Sequence, residues 1–578
     1  MLTRLLVIVA IAMTLSSAVA ADRPMLADLV LLNGRIITVD PHDRVVQALA
    51  VRDGRIMAVG SNRAIERLSG PATRRIDLRG RTATPGLIDA HAHVLGAGLT
   101  ALFELDSSNA KTIGDIVDQV ARRASGAKPG EWILGAGWDE TKLAEQRHPT
   151  ASDLDAAAPN NPVWLYHTSG HYAVANSEAL RLAGIGPATA TPAAGVIERA
   201  PDGKPTGILK ESAMDWVTAI VPAYSPEKRR QALLHMIEAA HSEGMTGWKD
   251  PDVPPAEWEA YRTVATDGQL TVNVCVLFHT PPTIEGASAT LGQIRAAQSD
   301  LKALHEPTLG VCGAKIYMDG SAIAHTAWSY AEWQRSATEI DTGNRGFPAL
   351  DPALYRQQVQ MFVDAGVSVG THAIGDRAID WVVDSYAEAL ARTPTHGLRL
   401  AIIHANEPTE HALEVMARLE KQFDSGIPET QAEFLWWLGD AFPPAMGMTR
   451  IRRLMPLHSY LDRGVRWAGG SDVPVTPLAA RYGLWASVAR EPLTPRYGSE
   501  PFGRSESVDV HAALRSYTIW AARQLFMEQR TGSLETGKSA DIAVWDRDPY
   551  SVEIAKLKDM KCELTLFGGR VVYDASRP

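Results

Sequence analysis

Six side chains of this 578-residue sequence are candidates for metal chemistry: His91, His93, Lys315, His372, His404 and Asp472. His91 and His93 follow the apolar run Gly86 to Ile88, and their i, i+2 spacing on an extended chain turns both imidazoles to one face. Two neutral imidazoles on one face can share a divalent cation. The spacing alone is weak, because 17 histidines in 578 residues give about 0.5 His-x-His pairs by chance. His372 and His404 end the runs Val367 to His372 and Leu398 to His404. Each alone reads as a satisfied core histidine; with the first pair, at successive run ends, they read as ligands. Lys315 lies inside the apolar run Val311 to Met318. Burial there would depress its pKa, and a neutral amine can take up carbon dioxide to become a carbamate, an anionic ligand able to bridge two cations. The alternatives are a lysine that snorkels to solvent or pairs with Asp319. Asp472 follows Gly469-Gly470-Ser471. Beside a dication it stays ionised yet can accept a proton from water. Such mixed nitrogen and oxygen donors suit Zn²⁺, with Mn²⁺, Co²⁺ or Fe²⁺ as alternatives.

These residues need rigid elements to bring them together. After Gly86 to Ile88, strand-like runs recur at Gly244 to Trp248, Thr271 to Phe278, Val311 to Met318, Val367 to His372, Leu398 to His404, near Phe423 to Gln431, and at Val465 to Ala468. That makes eight, alternating with helical patterns as a parallel α/β barrel requires, and the chemistry sits at their C-terminal ends. One helix is well marked by Ser225 as N-cap, Pro226 at its first position and Gly244 past its end. The stretch 99–221 is too long for a barrel loop and reads as an inserted α/β subdomain at the barrel mouth. Before the barrel, residues 21–83 are rich in short β runs. Leu29 to Leu32 and Arg35 to Val39 flank Asn33-Gly34, which predicts a hairpin, and a second pair flanks Asp53-Gly54. The tail from 530 to 578 is similarly β-rich.

The run Pro85-Gly86-Leu87-Ile88-Asp89-Ala90-His91-Ala92-His93 resembles the first barrel strand of the amidohydrolase superfamily, and Gly532 to Asp541 resembles its tail. Within the insert, Gly135 to Asp139, Ser169-Gly170-His171, Asn176-Ser177, Gly195 to Ile197 and Pro205 to Glu211 resemble the amidohydrolase family 3 branch that includes N-substituted formamide deformylases. The resemblance implies a (β/α)8 TIM-like barrel over 84–529, a flanking β-sandwich built from both chain ends, and an α/β insertion after the first barrel strand. It also implies a hydrolase of an amide, N-formyl or N-acyl carbon–nitrogen bond that works by a metal-activated hydroxide. The implied metal ligands are His91, His93, Lys315, His372, His404 and Asp472, holding two zinc ions bridged by a carbamate on Lys315. Asp472 moves the proton of the attacking water, and His404 joins it as a catalytic residue. His171 and Trp138 face the substrate from the insert, with Asp319 and Glu211 as weaker candidates. Departures from the branch at Ile403, Ala432 and the Tyr166-His167 region touch none of the ligands but block transfer of substrate specificity.

Other classes fit less well. A deaminase or cyclic-imide hydrolase would use the same metal site with a different pocket. A non-catalytic barrel relative would tend to lose ligands, and every position is filled here. A sugar-binding periplasmic protein leaves the strand-end histidines unexplained. The charge of −10 includes no basic cluster, so nothing points to nucleic acid, and 45% hydrophobic with 21% charged residues is ordinary globular usage. The expected partner is a small-molecule substrate, and a homodimer is the default assembly. Trp436-Trp437, near the seventh strand end, hints at an apolar or aromatic substrate. Cys275, Cys312 and Cys562 are odd in number and far apart, and read as small buried hydrophobes without a disulfide framework. Residues 1–20 read as a signal peptide: Arg4, an apolar core from Leu5 to Leu15, and Ala18-Val19-Ala20 before a cleavage site. The expected destination is the periplasm or the medium, with no membrane contact after cleavage.

Overall fold

The computed structural model describes residues 25–336, 343–498 and 502–577; the signal-peptide pattern lies outside them. Eight parallel strands run in sequence order around one sheet: Leu87–Asp89, Met245–Val253, Asn273–His279, Leu309–Tyr317, Ser368–Ala373, Ala401–His404, Ile427–Thr430 and Ala468–Gly469. Seven parallel pairings link neighbours, and Ala90 N–H donates to the Gly469 carbonyl at 2.9 Å, bringing the last strand back to the first. The strands are buried on both faces, which is why they read as contiguous apolar runs. Their outer faces pack on helices such as Pro226–Ser242, whose N-terminus is capped by Ser225 Oγ accepting from Lys228 N–H. The fold is therefore an α/β TIM-like barrel. No helix among the described residues is long and apolar enough to cross a membrane.

Both chain ends build the flanking sandwich. One sheet has the order Arg55–Gly60, Ala48–Arg52, Leu29–Leu32, Arg74–Asp77. The other has the order Arg570–Asp574, Cys562–Phe567, Ile542–Trp545, Thr82–Pro85, Arg35–Ile37, Val45–Val46. Leu31 and Leu49 from the first meet Ile36, Ile542, Val544 and Leu566 from the second in one core. The Asp53-Gly54 hairpin is present. The Asn33-Gly34 hairpin is not, because Leu29–Leu32 and Arg35–Ile37 lie in different sheets. Leu31 and Ile36 bury themselves from opposite sides of the same core, so the chain turns a corner instead of doubling back. Leu78 holds that corner: its N–H donates to the Leu32 carbonyl at 2.8 Å, and a Cβ on Gly34 would fall 2.3 Å from Leu78 Cδ1.

After the first barrel strand and the helix Val94–Phe103, the insertion forms its own six-stranded sheet, with Leu105–Asp106 at one edge and Gly195–Arg199 at the other. Two apolar clusters stabilise it, one around Trp138, Leu165 and Val174 and the other around Trp164, Ala173 and Leu209. The cysteines correct the expectation from sequence. Cys275 and Cys312 are joined in a disulfide between the third and fourth barrel strands, and only Cys562 is a free, buried thiol. They lie 37 residues apart in the chain, and only the pairing of those two strands makes them neighbours.

Candidate metal centre

Strand ends one and eight are tied together before any ligand is considered. The Asp89 carboxylate accepts from His91 N–H at 2.9 Å, and from Ser471 N–H and Oγ–H at 3.0 and 2.6 Å. Asp472 N–H then donates to the His91 carbonyl at 2.7 Å, and His93 N–H to the Val473 carbonyl at 2.9 Å. This lacing places His91 Nε2 3.3 Å and His93 Nε2 3.4 Å from Asp472 Oδ1. His91 is wholly buried, yet neither ring nitrogen has a hydrogen-bond partner among the described residues. A buried imidazole with two orphaned nitrogens is a rare and costly arrangement.

His91, His93 and Asp472 have ligand atoms close enough to share one cation, and the other two histidines each keep a bare nitrogen nearby. His372 Nε2 lies 3.1 Å from the Gly320 carbonyl, which can only accept, so Nε2 carries the proton and Nδ1 is bare. His404 Nδ1 lies 2.7 Å from Gln431 Oε1. Gln431 Nε2 donates to the Glu429 carbonyl at 3.2 Å, which fixes the amide orientation, puts the proton on His404 Nδ1 and leaves Nε2 bare. The His404 ring lies 5.2 Å from that of His91 and 4.6 Å from that of His372. Burial pushes all four imidazoles down, His93 to about 4 and His91, His372 and His404 well below the usual imidazole value. They are neutral, as ligation requires. His404 at φ 71° and Asp472 at φ 59° both sit in the left-handed region, strain of a kind that clusters at functional positions.

Lys315 is 1% exposed and lines the same cavity. Burial lowers its ammonium to about 8 against the pull of Asp252 and Asp472. Burial raises Asp472 to about 7, opposed by Lys315 and His171. Beneath the ligands, Lys249 and Glu429 form a buried ion pair across the barrel, and the second Glu429 oxygen is orphaned 3.9 Å from His91 Nδ1.

The cavity above, of about 790 Å³, runs between barrel and insert. His171 reaches into it with Nδ1 3.1 Å from each Glu211 oxygen and its ring 5.2 Å from that of His372. Burial works against a protonated His171, but Glu211, with Asp472 and Asp319, outweighs it and raises the imidazole. Trp138 does not face the cavity. It is fully buried in the insert core with Nε1–H donating to the Leu165 carbonyl at 3.0 Å, because its strand turns the indole to the apolar side. Asp319 does not line the cavity either. It accepts from the Trp328, Ile374 and Gly375 N–H groups at 2.9–3.0 Å and anchors the loop after the fifth strand, 3.6 Å from His372 Nε2. Gln431, Lys249, Glu429 and Asp89 escaped the sequence reading. The signal for Lys249 and Glu429 was present: like Lys315, each is a charge inside a strand pattern.

A second cluster in the insert is Asp139, Glu140 and His167, whose histidine is taken up by its neighbours. His167 Nδ1 accepts from Ser169 N–H at 3.0 Å, so Nε2–H donates toward Tyr172 Oη at 2.9 Å or Glu140 at 3.2 Å. It therefore offers a proton rather than a lone pair, and its role is to hold the turn that presents His171.

The model of the amidohydrolase family matches residues 74–573. N-substituted formamide deformylase of Arthrobacter pascens is 30% identical, over 95% of this chain and 98% of its own. The putative amidohydrolase YtcJ of Bacillus subtilis is 28% identical over 94% and 99%, and the protein LONG AFTER FAR-RED 3 of Arabidopsis thaliana 29% over 95% and 92%. Among solved structures, a metal-dependent hydrolase from Pyrococcus horikoshii superposes with a TM-score of 0.68 at 22% identity, over 91% of this chain and 99% of that one, and shares the fold. The chain belongs to the amidohydrolase family.

Proposed function

We propose that this protein is an exported hydrolase of an amide, N-formyl or N-acyl bond, with His91, His93, His372, His404, Lys315 and Asp472 as its metal ligands. The observation that carries this reading is His91, whose two buried, unpartnered nitrogens lie among three more neutral imidazoles and a carboxylate. Nitrogen and oxygen donors without thiolate fit zinc or a similar dication. A dication held there supplies carbonyl polarisation and a water of lowered pKa. The protein's own residues do the rest. Asp472 takes the proton of the attacking water and returns it to the departing nitrogen. His171, held by Glu211, offers a donor to the substrate from the roof, and the insert limits access of bulk water. The deformylase relative supports an N-formyl or N-acyl substrate. Metal analysis of the purified protein, followed by a hydrolysis screen of N-formyl, N-acyl and cyclic amides with zinc- and manganese-loaded enzyme, tests the reading. Turnover of cyclic amides alone would move it to a cyclic-imide hydrolase, and a metal-free protein that cannot be loaded would reject it.

Gln431 gives a narrower check. If its Oε1 holds the His404 tautomer, Gln431→Ala should weaken metal binding by roughly 10–100-fold, read by chelator competition. An unchanged affinity would mean that His404 is oriented by something else.

Export rests on the pattern of residues 1–20 and on the Cys275–Cys312 disulfide, which fits an oxidising compartment. N-terminal sequencing of the protein from its native host should begin at Ala21. An intact Met1 in the cytoplasmic fraction would sink this.

A further inference from the structure

The fourth barrel strand changes phase midway. Cys275 of the third strand pairs with Gly310 and Val276 with Val311, but Leu277 pairs with Gly313. Cys312 is thus an extra residue, a β-bulge. Before it, Leu309 and Val311 face the helices, and Cys312 itself points inward beside Cys275 and Leu277. After it, Ala314 and Ile316 face the helices, while Lys315 and Tyr317 face the cavity. Side chains alternate with a period of two, so one residue more or fewer reverses every later side chain. Without the bulge, Ala314 would face the site and Lys315 would be driven into the helix layer.

Two features hold the bulge. Gly313 is pressed so closely on the fifth strand that a Cβ would lie 2.1 Å from the Ser368 carbonyl oxygen. The second feature is the disulfide, which ties the extra residue to the unbulged neighbour strand, with the two Cα atoms 5.6 Å apart. It sits among Ile88, Ala90, Ile403 and Ala468, in the layer under the ligands. We propose that the Cys275–Cys312 disulfide is a positioning device for Lys315: it pins the bulge that turns this lysine toward the metal ligands. The inference rests on the metal-centre reading above.

The test compares the parent with C275A/C312A and with Met527→Ala, a control that opens the same apolar cluster but leaves the disulfide and Gly313 in place. Thiol titration of the denatured parent, purified without reductant, should find one free thiol of its three cysteines; three would overturn the proposal. C275A/C312A should bind zinc roughly 10–100-fold more weakly by chelator competition, or hold fewer ions per chain. Met527→Ala should lower thermal stability and leave zinc affinity unchanged. A double variant with parental zinc affinity would overturn the proposal, as would an equal loss in the control, which would mean a merely structural role. If the parent itself cannot be loaded with metal, the metal-centre reading fails instead. The direction of Lys315 in a crystal structure of the double variant then decides this inference: inward as in the parent overturns it, and displaced supports it.

Discussion

Asp472→Asn is expected to keep the fold and lower turnover by about 10²–10⁴-fold, the usual cost of removing a general base. The substitution preserves shape, and what holds the loop is the backbone: Asp472 N–H on the His91 carbonyl and the Asp89–Ser471 bonds beside it. None of these needs the Asp472 carboxylate. That carboxylate instead faces His91 and His93 at 3.3 and 3.4 Å, so an amide there removes a negative ligand and the acceptor for the water's proton together. Circular dichroism and thermal unfolding should match the parent while kcat falls. Asp319→Asn is the useful contrast. The Asp319 carboxylate accepts three backbone N–H groups, and an amide would oppose a donor to at least one of them. That variant should lose stability, with the loss of activity following the loss of folded protein. If Asp472→Asn stays within a few-fold of the parent, the proton goes elsewhere.

The two aspartates also show what could be read from sequence. Both follow strand-like runs and each has a small residue on one side, Gly320 or Ser471, so pattern alone ranks them together. What separates them is where neighbouring backbone N–H groups point, which is a property of the folded loop. The barrel strands were legible because parallel strands buried on both faces form unbroken apolar runs. Histidines or charges at their ends then stand out as exceptions. Trp138 was not legible for the opposite reason. An indole satisfies a core and a ligand wall equally well, and only its strand's orientation in the insert buries it. The Asn33-Gly34 turn had the local chemistry of a hairpin, but Leu31 and Ile36 had to reach one core from two layers, and burial outweighed turn preference. Cys275 and Cys312 depended on a bulge, a one-residue shift with no signature in either run beyond Gly313. Gln431 carries no signal in its own run, because a glutamine at a strand end marks no ligand, yet its amide fixes the tautomer of His404.

Lys315→Ala is expected to lose one metal ion and most of the activity. The reasoning begins with charge. Two dications held roughly 3.5–4 Å apart, as in binuclear hydrolases, need an anionic bridge between them. Among the proposed ligands four are neutral imidazoles, and Asp472 is the one carboxylate. Lys315 as an ammonium would add a third cation, whereas as a carbamate it contributes a negative charge and two oxygens. Burial makes that conversion accessible by bringing the amine to about 8, so about a tenth of it is neutral at pH 7 and open to reaction with carbon dioxide. The nitrogen forms the new bond to carbon and its proton leaves to solvent. A small carboxylic acid added to Lys315→Ala should therefore restore part of both metal content and turnover by occupying the emptied volume. Lys315→Arg should do no better than alanine, because guanidinium stays protonated and cannot form the carbamate. Acid strips the adduct, so the deciding measurement is electron density at Lys315 together with a metal count on the same preparation. A free ammonium with a single metal would refute the bridge and leave a mononuclear hydrolase built on His91, His93, Asp472 and either His372 or His404.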